Sequence, residues 1–228
     1  MQFKFTHTLY LLNLQIKRHT DVPVLVAIAD EALLTGVMTE EGYSLVKYRY
    51  FIRNNHKQYL RVSMPQDWAL WSALIDGEAV MPASSNTGNG ILIPLKKLSK
   101  TDDGAGFTLE LVYWNQQQKF QSRGKYRFEI PVIDINCQKM YGEIYLPERY
   151  QYSGFSGPVQ LVKSYSNRYI SDSDNRYAPV SQKQFQNIAK GLPVEIEIPK
   201  TGKPLRFTKG LTIAGEKSGL VCKYTVQN

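Results

Sequence analysis

Metal binding or catalysis in this 228-residue chain would have to come from three histidines, two cysteines and twenty carboxylates. His7, His19 and His56 belong to no HxH or HExxH pattern, and Cys137 and Cys222 are too far apart to form a zinc knuckle. No metal and no cofactor is therefore expected. There is no GxSxG, and neither cysteine adjoins a histidine, so nothing marks an activated nucleophile. Asp172, Asp174 and Arg176 imitate the start of a calcium loop. The arginine takes the third alternate position, and the glycine and distant glutamate of an EF-hand do not follow. Glu195 and Glu197 would lie on the outer face of a strand, and Glu40 and Glu41 precede Gly42 in a turn, so neither pair reads as a glycosidase dyad. No catalytic residue is assigned, and an enzyme is not expected; an enzyme whose site is assembled only in three dimensions is the last-ranked reading.

Residues suited to binding are more numerous. Three Trp and fifteen Tyr help bring aromatics to 12% of the chain. Trp68 and Trp71 fall in one turn region, and Trp114 is out of phase with the inward side of its own strand. Exposed rings on a sandwich can stack on sugars, which makes a carbohydrate-binding module the alternative reading. Lys200, Lys203, Arg206 and Lys209 recur every third residue around a Thr201-Gly202 turn, and Arg123, Lys125 and Arg127 form another basic run. Residues 1–117 carry 11 basic and 11 acidic side chains, whereas 118–228 carry 17 and 9, so the whole net charge of +8 lies in the second half. Such asymmetry fits an anionic partner, a protein or an anionic glycan; it also fits solubility alone. RNA- and DNA-binding signatures are absent, so sequence-specific nucleic-acid recognition is not expected.

The elements that must position these residues read as strands. Val46, Tyr48, Tyr50 and Ile52 alternate with Lys47, Arg49 and Arg53; Leu60 and Val62 alternate with Arg61 and Ser63. The intervening Asn54, Asn55, His56 and Lys57 predict a hairpin turn, and Asp76-Gly77 predicts another. Phe107, Leu109, Leu111 and Tyr113 alternate, as do Tyr126, Phe128 and Ile130, then Val194, Ile196 and Ile198, then Leu220, Cys222 and Tyr224. Ser181 and Gln184 form a capping box ahead of Phe185, Ile188 and Ala189, which predicts one helix over 182–190, stopped by Gly191.

The fold expected is all-β: two tandem antiparallel β-sandwich domains, Ig-like or jelly-roll-like, over 1–117 and 118–228. Two short patterns recur. LRVSMPQDW (60–68) resembles GEIYLPERY (142–150), and GILIP (90–94) resembles VEIEIP (194–199), as a diverged duplication or convergent strand ends would produce. A disulfide between Cys137 and Cys222 could contribute ~4 kcal/mol in an oxidising compartment; two separately buried thiols are the other reading. No apolar run is long enough to span a membrane. The N-terminus lacks a signal-peptide core, which fits a cytoplasmic protein or a fragment of a longer chain.

The run LVKYRYFIRNNHKQYLRVSMPQDWALWSALIDGEAVMPA, with ILIPL and FTLELVYW after it, resembles modules of large uncharacterised bacterial cell-envelope proteins. YGEIYLPERY and GLPVEIEIPKTGKPLRF are similar to segments further along those chains. The resemblance spans about residues 24–207. It implies β-sandwich modules in an envelope or periplasmic setting and brings no catalytic residues with it. The function expected on this basis is a non-enzymatic structural or interaction module of a cell-envelope protein.

Overall fold

The computed structural model describes residues 26–85, 90–96, 106–164 and 196–227, and every helix or strand among them is a strand. The longest two form a hairpin, β1 (Ala27–Met38) with β2 (Tyr43–Asn54), closed by a turn in which Gly42 has φ 92°. A Cβ at Gly42 would collide with the carbonyl oxygens of Gln117 and Gln118, so the turn requires glycine twice over. Beyond β2 come β8 (Phe107–Gln116), β4 (Trp68–Ile75) and β5 (Glu78–Ala79), all antiparallel. On the other side of β1, β12 (Met140–Leu146) runs parallel to it, followed by antiparallel β15 (Lys203–Lys209) and β14 (Gln160–Val162). With the short β11 (Asn136–Cys137) also on β1, this makes a mixed nine-stranded sheet.

A second layer covers one face of it. β10 (Val132–Ile133), β3 (Tyr59–Ser63), β7 (Gly90–Pro94) and β6 (Ala83–Ser84) form a four-stranded sheet. A three-stranded sheet runs in the order β13 (Tyr150–Ser156), β16 (Ser218–Val226), β9 (Arg123–Ile130). Only Pro131 separates β9 from β10, so these smaller sheets are joined along the chain.

Alternation correctly marks the buried side of β2, β3, β8, β9 and β16. Val46, Tyr48, Tyr50 and Ile52 of β2 share one apolar cluster with Leu60 and Val62 of β3, Leu109 and Leu111 of β8, and Phe128 and Leu220 of the three-stranded sheet. Trp68 meets Phe128 edge-on at 6.0 Å, and the Tyr126 hydroxyl reaches Met38 Sδ at 2.8 Å across the layers. The Asp76-Gly77 hairpin forms as expected, with φ of 49° and 79° in the primed-turn pattern that matches strand twist.

The expected Val46–Val62 hairpin does not form. β2 pairs with β1 and β8, β3 pairs with β10 and β7, and residues 54–57 carry the chain from one layer to the other. Asn54 holds that crossing: its side-chain amide donates to the carbonyls of Lys57 and Lys96, and its Oδ1 accepts from the Lys57 amide. Asparagine there satisfies backbone groups inside the core instead of adopting a hairpin's positive φ. The strand expected at Val194–Ile198 is not seen in its described part, since residues 196–200 are irregular, although Ile198 is buried. The helix expected over 182–190 lies outside the described residues, as does the Asp172–Arg176 stretch. Tandem Ig-like sandwiches are not confirmed: the large sheet takes strands from both sides of position 117, and one core cluster holds residues of both.

Candidate functional site

The residues singled out for binding separate when the strands are in place. Trp68 is 9% exposed and belongs to the core, whereas Trp71 and Trp114 are 59% and 42% exposed. Leu45 lies beside Trp114 in register, with Ala69 on its other side, so this part of the large sheet's outer face is apolar. An ionic row runs across the same face: Arg49 and Lys47 both approach Glu110, at 2.8 and 3.8 Å, and Arg206 bonds Glu143 at 2.6 Å.

The basic series around Thr201-Gly202 is not gathered into a patch. β15 alternates, so Arg206 points to the outer face and Lys203 and Lys209 to the other. Lys209 is 7% exposed and bonds Glu216 and Ser218. Its ammonium holds the Glu216 carboxyl below the usual range. Lys203 donates to the Tyr150 carbonyl and to Gln227 Oε1, both at 2.8 Å, at the side of an open groove of about 380 Å³ lined by Leu146, Tyr152, Phe155 and Leu205. Lys200 is exposed. Three of these four cations are thus committed to bonds within the fold.

The two thiols are free and buried, and desolvation pushes each up to about 11. Neither is poised as a nucleophile. Glu197 is exposed and Glu195 is outside the described residues. Among the described residues, no group of three His, Cys, Asp or Glu side chains is placed to hold a metal ion. Among the described residues, no helix long and apolar enough to cross a membrane is present.

A different basic cluster is assembled by pairing. In β9, Tyr126, Phe128 and Ile130 are buried, which turns Arg123, Lys125, Arg127 and Glu129 outward. In β16, Leu220, Cys222 and Tyr224 are buried, which turns Lys223 outward. Register then sets Lys125 directly opposite Lys223, with Arg123 opposite Thr225 and Arg127 opposite Val221. Like charges directly opposite one another cost a few tenths of a kcal/mol up to about 1 kcal/mol in a sheet. Arg127 has Glu129 at 3.8 Å, and among the described residues Arg123, Lys125 and Lys223 have no ion-pair partner. Sequence could show that Arg123, Lys125 and Arg127 share a face. Lys223 was missed because its only local signal, a lysine between Cys222 and Tyr224, says nothing of which strand lies beside it.

No protein-family model matches the chain, and no curated protein matches its sequence. Solved structures do resemble it. Leukotriene A4 hydrolase from Saccharomyces cerevisiae is matched over 86% of this chain and 29% of its own length, with 8% identity and a TM-score of 0.46. An M1 zinc metallopeptidase from Deinococcus radiodurans is matched over 86% of this chain and 42% of its own, with 11% identity and a TM-score of 0.48. The chain spans less than half the length of either. These matches overturn the expected function, a structural or interaction module of a cell-envelope protein or a carbohydrate-binding module, since the proteins found are a leukotriene A4 hydrolase and a zinc metallopeptidase. That function is withdrawn. At such identities and TM-scores, these proteins lend this chain no activity of their own. The likeness to envelope-protein segments is a separate matter, which these matches do not touch.

Proposed function

We propose that the chain binds an acidic protein segment on the outer face of its three-stranded sheet, through Arg123, Lys125, Arg127 and Lys223. The observation that carries this reading is the direct opposition of Lys125 and Lys223 in register, flanked by two arginines. An arriving anion relieves the repulsion between the two lysines, so the attraction is larger than for scattered surface cations. The location of the excess charge supports the same reading, since all of the net +8 arises from residues 118–228, which include this face.

The test is retention of the intact chain on immobilised polyglutamate, with heparin in a parallel column. Retention should fall steeply as salt rises past about 0.1 M, where the screening length drops to about 10 Å. The Lys125→Glu, Lys223→Glu double variant should bind at least about tenfold more weakly, a loss of ~1.4 kcal/mol. A Lys200→Ala variant should bind like the parent. Unchanged binding by the double variant, or no retention of the parent at low salt, would overturn the proposal. Retention on heparin alone would move the partner from an acidic protein to an anionic glycan.

A further inference from the structure

The open side of β9 adds something that charge alone does not provide. In an antiparallel pair, hydrogen-bonded residue pairs recur with a period of two, and the residues between them turn their backbone groups to the opposite edge. The Val226 amide donates to the Ser122 carbonyl at 2.8 Å, which fixes the phase. Gly124, Tyr126 and Phe128 therefore direct their backbone groups at β16, and Arg123, Lys125, Arg127 and Glu129 direct theirs away from it. The Gln117 side-chain amide confirms this phase by reaching the Arg127 carbonyl from the far side at 3.3 Å. Among the described residues, no strand pairs with this edge of β9.

The edge is open because of what happens one strand away. β10 continues the run of β9 and pairs with β3, Val132 with Ser63 and Ile133 with Val62. Had β3 continued in that register, its next residues would have lain along β9. Pro65 follows instead, and residues 66–67 turn the chain into β4 of the other sheet, Asp67 at φ 65°. The second layer is paired on one side of Pro131 and unpaired on the other.

We infer that this edge accepts an extended acidic segment as an added strand, a reading that rests on the anionic-partner proposal and names the form of its partner. Backbone groups of Arg123, Lys125 and Glu129 would bond the segment, with the Arg127 carbonyl joining only once the Gln117 side chain that holds it swings aside. Side chains of the three cations would meet acidic residues at every second position along it. The alternate residues of the segment would face the inner side of the layer, beside Tyr126 and Phe128, and suit small apolar side chains. β9 from Arg123 to Glu129 accommodates about seven residues, or roughly 23 Å of strand. A second copy of the same edge would bring cations against cations, so charge selects an acidic strand over self-association.

The experiment uses the intact chain and a synthetic octapeptide of alternating Glu and Val. Its partners are the same peptide N-methylated at alternate amides, a proline-interrupted peptide of equal charge, and heparin. The peptide should bind, with N-methylation in the phase that faces β9 weakening it at least about tenfold and methylation in the other phase having little effect. Lys125→Pro should bind more weakly than Lys125→Ala, because both lose the charge but only proline removes the edge amide. Proline is tolerated on an edge-facing position, and a thermal melt of both variants checks folding. Equal binding of methylated, proline-interrupted and parent peptides would overturn strand addition and leave the basic face as a purely electrostatic one. Binding of heparin in place of the peptide would overturn strand addition as well. Binding of no polyanion would overturn the anionic-partner reading beneath it.

Discussion

Arg49 and Tyr50 are neighbours in β2 and meet opposite surroundings. Tyr50 is buried at the centre of the core, stacked on Tyr48 with ring centroids 5.8 Å apart. Burial raises its phenol well above the ordinary range. Arg49 is on the other face, where sequence alone makes it an ordinary solvated cation that could be removed freely. It instead bonds Glu110, a carboxylate that is itself mostly buried. Tyr50→Ala is expected to cost about 3–5 kcal/mol, and Arg49→Ala about 1–3 kcal/mol because it leaves Glu110 with only the more distant Lys47. Denaturant melts check both. A neutral Arg49→Ala would mean that Glu110 is adequately hydrated without its partner. The strand face of each residue was legible in the period-two pattern; the identity of the partner on that face was not, because Glu110 is 61 residues away.

At the scale of the element, β12 depends on a glycine that reads in the sequence as an interruption. Gly142 lies opposite Phe207 of β15, and a Cβ at that position would overlap the Phe207 ring. The ring occupies the space that a side chain would fill, which lets a bulky aromatic sit fully buried against the strand. Gly142→Ala should therefore destabilise the chain by about 1–3 kcal/mol through overpacking, despite alanine's smaller loss of backbone entropy. Pairing it with Phe207→Leu should recover part of the loss, which a double-mutant cycle of melts would measure. If Gly142→Ala alone were stabilising, the ring would have to shift freely within its site. The arch at 54–57 teaches a related lesson about elements. Asn-rich polar residues between two alternating runs fit a hairpin turn and a crossing between layers equally well, and only the hydrogen bonds of Asn54 distinguish them here.

For the whole molecule, the decisive feature is that β12 lies beside β1 and parallel to it, joining residues 32–37 to 140–145 in one sheet. Parallel neighbours need a long connection, and this one passes through β2 to β11, so most of the described chain is enclosed between them. Cutting the chain at 117 would expose the edge of β1, open the core cluster and separate β3 from β10. Residues 118–228 expressed alone are accordingly expected to lack a cooperative unfolding transition, and mixing them with residues 1–117 should be needed to restore one. Thermal melts of each piece and of the mixture check this, and a cooperative transition in either piece alone would show that it carries an independent core. The same interleaving explains why basic residues that are neighbours in the chain do not share a face, while distant ones do. Lys200, Lys203, Arg206 and Lys209 are close in sequence and divided between two faces, while Lys125 and Lys223 are 98 positions apart and directly opposed.

Sequence by itself determined the all-β character of the described chain, the buried side of β2, β3, β8, β9 and β16, and the Asp76-Gly77 turn. Each of these depends on interactions a few residues long: alternation follows from the pleat, and a primed turn follows from residues that tolerate positive φ. The tertiary structure alone decided which strands are neighbours, which carboxylate each cation meets, and where an edge is left open. Pairing depends on backbone groups that every residue carries, so its specificity comes from the fit of whole faces and from where the chain turns away, as at Pro65. Those are properties of distant segments together. The basic face exists because two strands far apart in the chain share a register, and its open edge exists because a third strand leaves the layer before reaching it.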